Sequence, residues 1–231
     1  MSRIIALAAL LAVTLSLDVS AAGASSPVKD LAKRAVDRTA NWVIDQYNVK
    51  AKQLGTPEDS SDPALWAIYV TAICEQRRDY KEINGPYVSD PVQILVGKVK
   101  DDGTVDGAKD AGLAAHLAAQ ALESTKNENY KPKIEALKKT AKTPAAAEFK
   151  TIEQLASIEL KPDTLLATIT TCRQLAKDGK KEVTVGDKTV KWAELITESL
   201  MKKEQKGGSY TGDLRTDALV LQLLNVCYKQ L

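Results

Sequence analysis

The placement of proline constrains this chain more than any other feature. Six of its eight prolines (Pro27, Pro63, Pro91, Pro132, Pro144 and Pro162) stand where a helix could begin. Proline suits the first helical turn because its missing N–H would be unpaired there anyway. Ser26, Asp62, Asp90 and Thr143 precede four of them and supply capping oxygens. A stripe of helical period follows Pro27, through Val28, Leu31, Ala35, Thr39, Trp42 and Tyr47. Another follows Pro63, through Leu65, Trp66, Tyr69, Val70 and Ile73. The spacing predicts nine helices, over 27–53, 63–77, 91–100, 108–123, 132–142, 144–157, 162–176, 190–204 and 214–229.

Composition agrees with an all-α fold. Aromatic residues make up only 5% of the 231, and glycine and proline number 12 and 8, so turn formers are few. One segment departs from the helical pattern. Glu182-Val183-Thr184-Val185 and Lys188-Thr189-Val190-Lys191 alternate with period two around Gly186-Asp187, which predicts a short β-hairpin inserted between helices.

The 32 basic and 30 acidic residues leave a formal charge of +2, and 44% of the chain is hydrophobic. That balance speaks against nucleic-acid binding by bulk charge and against a disordered chain. The lysines between Lys126 and Lys150 lie among alanines and read as a solvated face.

Residues 1–24 have the plan of a secretory signal peptide. Arg3 is the positive start, Ile4 to Leu17 the apolar stretch, and Ala21, Ala22 and Ala24 mark small-residue cleavage sites. The apolar stretch, about 14 residues, is shorter than the roughly 20 needed to span a bilayer. The expectation is an exported protein, periplasmic or secreted, with residues 25–231 as one domain and no stable membrane span after cleavage. Cys74, Cys172 and Cys227 each fall among apolar residues, as three core thiols or as one bridge and one thiol.

An internal repeat runs through the chain. Lys100-Asp101-Asp102-Gly103-Thr104-Val105-Asp106-Gly107 precedes one Ala/Leu-rich helix, and Gln205-Lys206-Gly207-Gly208-Ser209-Tyr210-Thr211-Gly212 precedes another. The helix after Asp62 is a third copy with a degraded turn. Gln205-Lys206-Gly207-Gly208-Ser209-Tyr210 resembles the Q-P-D-G-S-W core of the repeat in squalene cyclases and protein prenyltransferases, and Asp102-Gly103 belongs to a weaker copy. The resemblance covers roughly residues 30–125 and 190–230. It implies an α/α toroid, here a small or partial ring of helical hairpins, with Asp102, Gly103, Gln205, Gly208 and Tyr210 as structural turn residues. Tyr210 stands where that family has tryptophan, and Gly207 where it has aspartate.

The family's chemistry does not carry over. The D-x-D-D acid of the cyclases and the D-x-C zinc site of the prenyltransferases are both missing from the sequence. No metal or other cofactor is expected. The Asp102-x-Thr104-x-Asp106 half of a calcium loop lacks a carboxylate at its twelfth position, Leu113. Cys74-Glu75-Gln76 has the wrong spacing for a thioester loop. His116, the single histidine, lies in an Ala/Leu helix and suits packing better than general-base work. Trp42, Trp66, Tyr69 and Tyr87 are the candidate ligand-binding residues, able to line a cavity and stack on an apolar molecule. Packing of Trp42 against Trp66 is the competing reading. The expected function is a non-catalytic binding or scaffold domain taking an apolar small molecule or a protein partner. The alternative is a divergent enzyme, terpenoid cyclase-like or carbohydrate-active.

Overall fold

A computed structural model describes residues 26–76 and 85–231. The expected signal segment lies outside the described residues. Ten α-helices and two short antiparallel hairpins are described: α1 (Pro27–Asp45), β1 (Tyr47–Asn48), β2 (Gln53–Leu54), α2 (Pro57–Ser61), α3 (Pro63–Gln76), α4 (Pro86–Lys98), α5 (Ala111–Ser124), α6 (Lys131–Thr140), α7 (Ile152–Ala156), α8 (Pro162–Lys177), β3 (Glu182–Val185), β4 (Lys188–Lys191), α9 (Trp192–Met201) and α10 (Leu214–Gln230). The chain is all-α with short β-hairpins, and no described helix is long and apolar enough to cross a membrane.

Helices α3 and α10 form the centre. Every residue of α3 from Leu65 to Cys74 is buried, and so is every residue of α10 from Thr216 to Cys227. Helix α3 is apolar all round and must be covered on all sides, and the polar side chains of α10, Asp217, Gln222 and Asn225, are buried with hydrogen-bond partners. Helices α1, α4 and α5 cover α3, while α1, α8 and α9 cover α10, and the two pack on each other. One continuous apolar cluster runs from Ala35 to Cys227.

The two glycine turns are built alike. Lys100 N donates to Thr104 O at 2.9 Å and Gly103 N to Lys100 O at 3.1 Å; Gln205 N donates to Ser209 O at 2.7 Å and Gly208 N to Gln205 O at 3.3 Å. Gly103 and Gly208 have φ of 82° and 90°, and Gly107 and Gly212 have 76° and 77°. Glycine is required at the first of each pair for a second reason. A Cβ at Gly103 would stand 2.2 Å from Ala136 O of α6, and one at Gly208 would stand 2.5 Å from Arg38 O of α1. The second turn is also wrapped around Asp217, which is fully buried in the first turn of α10. Its Oδ2 accepts from Ser209 Oγ at 2.8 Å and Tyr210 N at 3.1 Å, and its Oδ1 from Thr211 N at 2.9 Å. Gln205 Nε2 donates to Tyr210 O at 2.9 Å, closing the loop.

Several expected boundaries are corrected. Helix α1 ends at Asp45 rather than at residue 53, because Asn48 Oδ1 takes the Ala51 N–H (3.1 Å) and Lys52 turns at φ 51°. The resulting hairpin buries Tyr47 and Leu54. The helix expected at 91–100 begins at Pro86 and holds Pro91 inside it. Pro91 has no N–H for the carbonyl of Tyr87 four residues back. The Tyr69 hydroxyl donates to that carbonyl at 3.0 Å and fills the gap. Residues 144–151 are not helical, despite Pro144 and three alanines; only α7 remains of the helix expected there. The strip docks instead, with Ala147 N donating to Ala167 O at 3.2 Å and Thr171 Oγ1 donating to Ala147 O at 2.9 Å. The hairpin at 182–191 forms in the expected register, pairing Val185 with Lys188. It leads into α9, whose Trp192 Nε1 donates to Lys180 O at 2.7 Å.

Gly208→Ala should lower unfolding stability by about 2–3 kcal/mol, combining left-handed strain with the clash against α1. Gly179→Ala, also at positive φ (67°) but in open space, should cost only about 1 kcal/mol. Urea denaturation of the two variants checks the difference.

Candidate functional site

Helices α5 and α10 follow the two glycine turns, and α3 follows Asp62. Their last turns all border one cleft of about 1170 Å³: Cys74, Glu75 and Gln76 from α3, Gln120, Glu123 and Ser124 from α5, and Asn225, Tyr228 and Lys229 from α10. The three helices therefore run in the same direction. Helix α1 closes one side with Lys29, Lys33, Asp37 and Asn41, and α8 contributes Arg173.

Arg173 ties the helices together. Its Nη1 donates to Gln120 Oε1 at 2.7 Å, and its Nη2 to Glu75 Oε1 at 2.7 Å and Gln222 Oε1 at 3.0 Å. A guanidinium has a planar fork of donors, which suits three acceptors on three helices. The acceptors are fixed in turn. Gln222 Nε2 donates to Ile68 O at 3.0 Å, and Asn225 Nδ2 to Ala72 O at 3.2 Å. Gln120 Nε2 lies 2.8 Å from His116 Nε2. Burial holds the His116 pKa below the ordinary imidazole value, with the Arg173 charge adding to the effect. The imidazole is therefore neutral at pH 7.

The charges around the cleft are unevenly paired. Glu75 is engaged by Arg173, and Glu123 by Lys138 at 2.7 Å. Lys29 stands over the Tyr228 ring, 5.7 Å from its centroid. Among the described residues, Lys33 and Lys229 are in no ion pair, and Asp37 is the lining carboxylate outside one. Part of this positive charge answers the partial negative charge of the three helix ends. Lys29 and Lys33 stand in the first two turns of α1, where that helix's own dipole gives them no reason to be. Cys74 also lines the cleft, but burial pushes its thiol up to about 11. Burial likewise pushes Cys172 up to about 12 and Cys227 well above the usual thiol range, and all three are free thiols.

The four aromatic candidates lie elsewhere. Trp66 and Tyr69 are buried in α3, and Tyr87 is exposed in α4. These three surround Tyr47, with ring centroids 6.0, 6.3 and 6.4 Å from it. Trp66 Nε1 donates to Ser60 O at 2.8 Å. Trp42 is half-buried against the core on α1. None of the four is among the residues lining the cleft. Of the turn residues, Asp102 caps its own turn through Thr104 Oγ1 at 2.7 Å, and Tyr210 is buried.

Sequence reasoning set Glu75 aside and passed over Gln120, Arg173, Gln222 and Asn225. The available signal was a set of single polar residues inside otherwise apolar helices, in Ala118-Ala119-Gln120-Ala121 and Leu221-Gln222-Leu223-Leu224-Asn225. A buried amide needs a partner, so such residues point to contacts between helices.

No family profile, curated protein or solved structure matches the chain.

The lowered His116 pKa links stability to pH. Above about 6.5 the folded and unfolded states both hold it neutral. As pH falls below that value the unfolded chain binds the proton first, so stability should fall until the folded-state pKa is also passed. His116→Gln should flatten this part of the acid limb, measured as urea midpoints between pH 7 and 5.

Proposed function

We propose that this chain is an exported, non-catalytic binding domain whose cleft takes a polar, anionic small molecule. The observation that carries the reading is the pair Lys33 and Lys229, both outside ion pairs, on the wall of a cleft of about 1170 Å³. A volume of that order suits a small ligand or a short oligomer. The lining turns the ligand expectation from apolar to polar. Trp66 and Tyr69 are engaged in core packing and none of the four aromatic candidates lines the cleft, which presents lysines, amides and carboxylates beside Val36, Ile44 and Tyr228. The binding reading is favoured over the enzyme because the groups suited to proton transfer are already held. Glu75 is bound to Arg173 and His116 to Gln120. Export rests on the sequence of residues 1–24, and the likeness of the two glycine turns supports a ring-like helical repeat.

Thermal unfolding of the purified chain tests the ligand class at low ionic strength, with citrate, glucuronate, phosphate, glucose and farnesol as probes. At least one anion should raise Tm by about 3 °C or more at saturating concentration. The shift should shrink in 0.5 M NaCl and in the double variant Lys33→Glu, Lys229→Glu. A shift with farnesol and none with any anion would contradict the reading.

A further inference from the structure

The anion-binding cleft is long rather than round. Lys29, Lys33, Asp37, Asn41 and Ile44 line it from α1. They recur every three or four positions, so they form one stripe along that helix. From Lys29 to Ile44 the stripe runs about 22 Å at the α-helical rise. The cleft volume of about 1170 Å³, drawn out over that length, averages about 50 Å² in section. One extended polypeptide, at the spacing of strands and sheets, takes up about 48 Å². A helix, about 10–12 Å across with its side chains, is too wide.

The two ends of the stripe differ. Lys29 stands over the Tyr228 ring, and Lys229 is the next residue of α10, so Lys29, Lys33 and Lys229 gather at the start of α1. Beyond Lys33 that helix brings no cation to the cleft, only Asp37, Asn41 and the partly buried Ile44 and Val36. An occupant that fills the cleft therefore carries its negative charge at the lysine end, since Asp37 repels a second acid further along.

The lining also separates a peptide from a sugar chain. Asn41 and Gln76 hold side-chain amides that are in no hydrogen bond among the described residues. Each offers a donor and an acceptor, which a peptide group matches. A sugar chain binds best flat against an aromatic face. Tyr228 is the one aromatic side chain of the lining, and its ring already holds the Lys29 ammonium, 5.7 Å from the centroid.

At about 3.3 Å per residue, a strand of roughly six or seven residues fills the stripe. We infer that the cleft takes an extended peptide segment, with acidic side chains at the end that meets Lys29, Lys33 and Lys229 and an uncharged remainder lying along α1 past Asn41 to Ile44. This inference rests on the anion-binding reading above and adds the length and chemistry of the occupant. The lysines supply the attraction, and Asn41 pairs with the peptide backbone. No bond is made or broken.

Two heptapeptides with blocked termini test it, with a pair of aspartates at the N-terminal or the C-terminal end and alanine, serine and valine elsewhere. The controls are the same peptides with asparagine for aspartate, blocked diaspartate, citrate and tetragalacturonate. Each is titrated calorimetrically into the full chain and into Asn41→Ala. Asn41 is exposed on α1 and alanine favours helix, so this variant should keep its fold, as circular dichroism checks. One heptapeptide should bind at least tenfold tighter than diaspartate and than its asparagine counterpart. It should lose at least threefold in Asn41→Ala. Diaspartate and citrate should lose nothing there, because Asn41 stands about 12 Å beyond Lys33.

Diaspartate or citrate binding as tightly as the better heptapeptide would overturn the peptide inference and leave the anion reading standing. An asparagine heptapeptide that binds as well as its parent would refute the acidic end. Tetragalacturonate binding tighter than both heptapeptides would replace the peptide with an acidic sugar chain. A heptapeptide that loses nothing in Asn41→Ala, or no more than citrate does, would refute the path along α1. Binding of none of the probes would overturn the anion reading and the inference with it.

Discussion

The guanidinium of Arg173 is the interaction on which the rest of the arrangement depends. A cation placed among apolar helices is tolerated only when its donors are met and its charge is balanced. Glu75, Gln120 and Gln222 meet those demands from three separate helices. Each hydrogen bond to a charged group contributes on the order of 1.5–3 kcal/mol when formed. The larger consequence is geometric. Three acceptors on one guanidinium fix how far apart the ends of α3, α5 and α10 stand, and so fix the mouth of the cleft.

The opposite ends of the same helices are held by different means. Gly208 lets the turn before α10 lie against the α1 backbone, and Gly103 does the same for the turn before α5 against α6. Asp217 then gathers the hydroxyl and N–H groups of residues 209–212. Helices α5 and α10 are thus pinned by close backbone approach at their starts, and α3, α5 and α10 by a polar knot at their ends. Between the two, α3 and α10 are buried on every side and form the centre of the core.

Local patterns were legible in the sequence wherever short-range geometry decided the outcome. Period-two alternation around Gly186 gave the hairpin of β3 and β4, and the two glycine turns were recognisable because positive φ demands glycine. Elements decided by distant partners were not. The alanines at 145–147 favour helix in isolation, but the Ala147 backbone hydrogen-bonds to α8 through its N–H and its carbonyl, and the strip stays non-helical. Pro91 read as a helix start because nothing near it in sequence shows that Tyr69 serves the carbonyl it leaves open. The cleft was hidden for the same reason. Gln120, Arg173 and Gln222 lie 53 and 49 residues apart, and each looks incidental until the helices meet. The aromatic candidates were chosen for their chemistry, and packing around Tyr47 is where three of them went.

The most direct test of this account is hydrogen exchange followed by mass spectrometry on Arg173→Met. If Arg173 sets the spacing of the helix ends, protection should drop in the last turns of α3, α5 and α10, around residues 72–76, 120–124 and 222–227. Amides of the 205–212 turn, held by Gly208 and Asp217, should keep theirs. Unchanged exchange at all three helix ends, or an even loss spread over the whole chain, would contradict it.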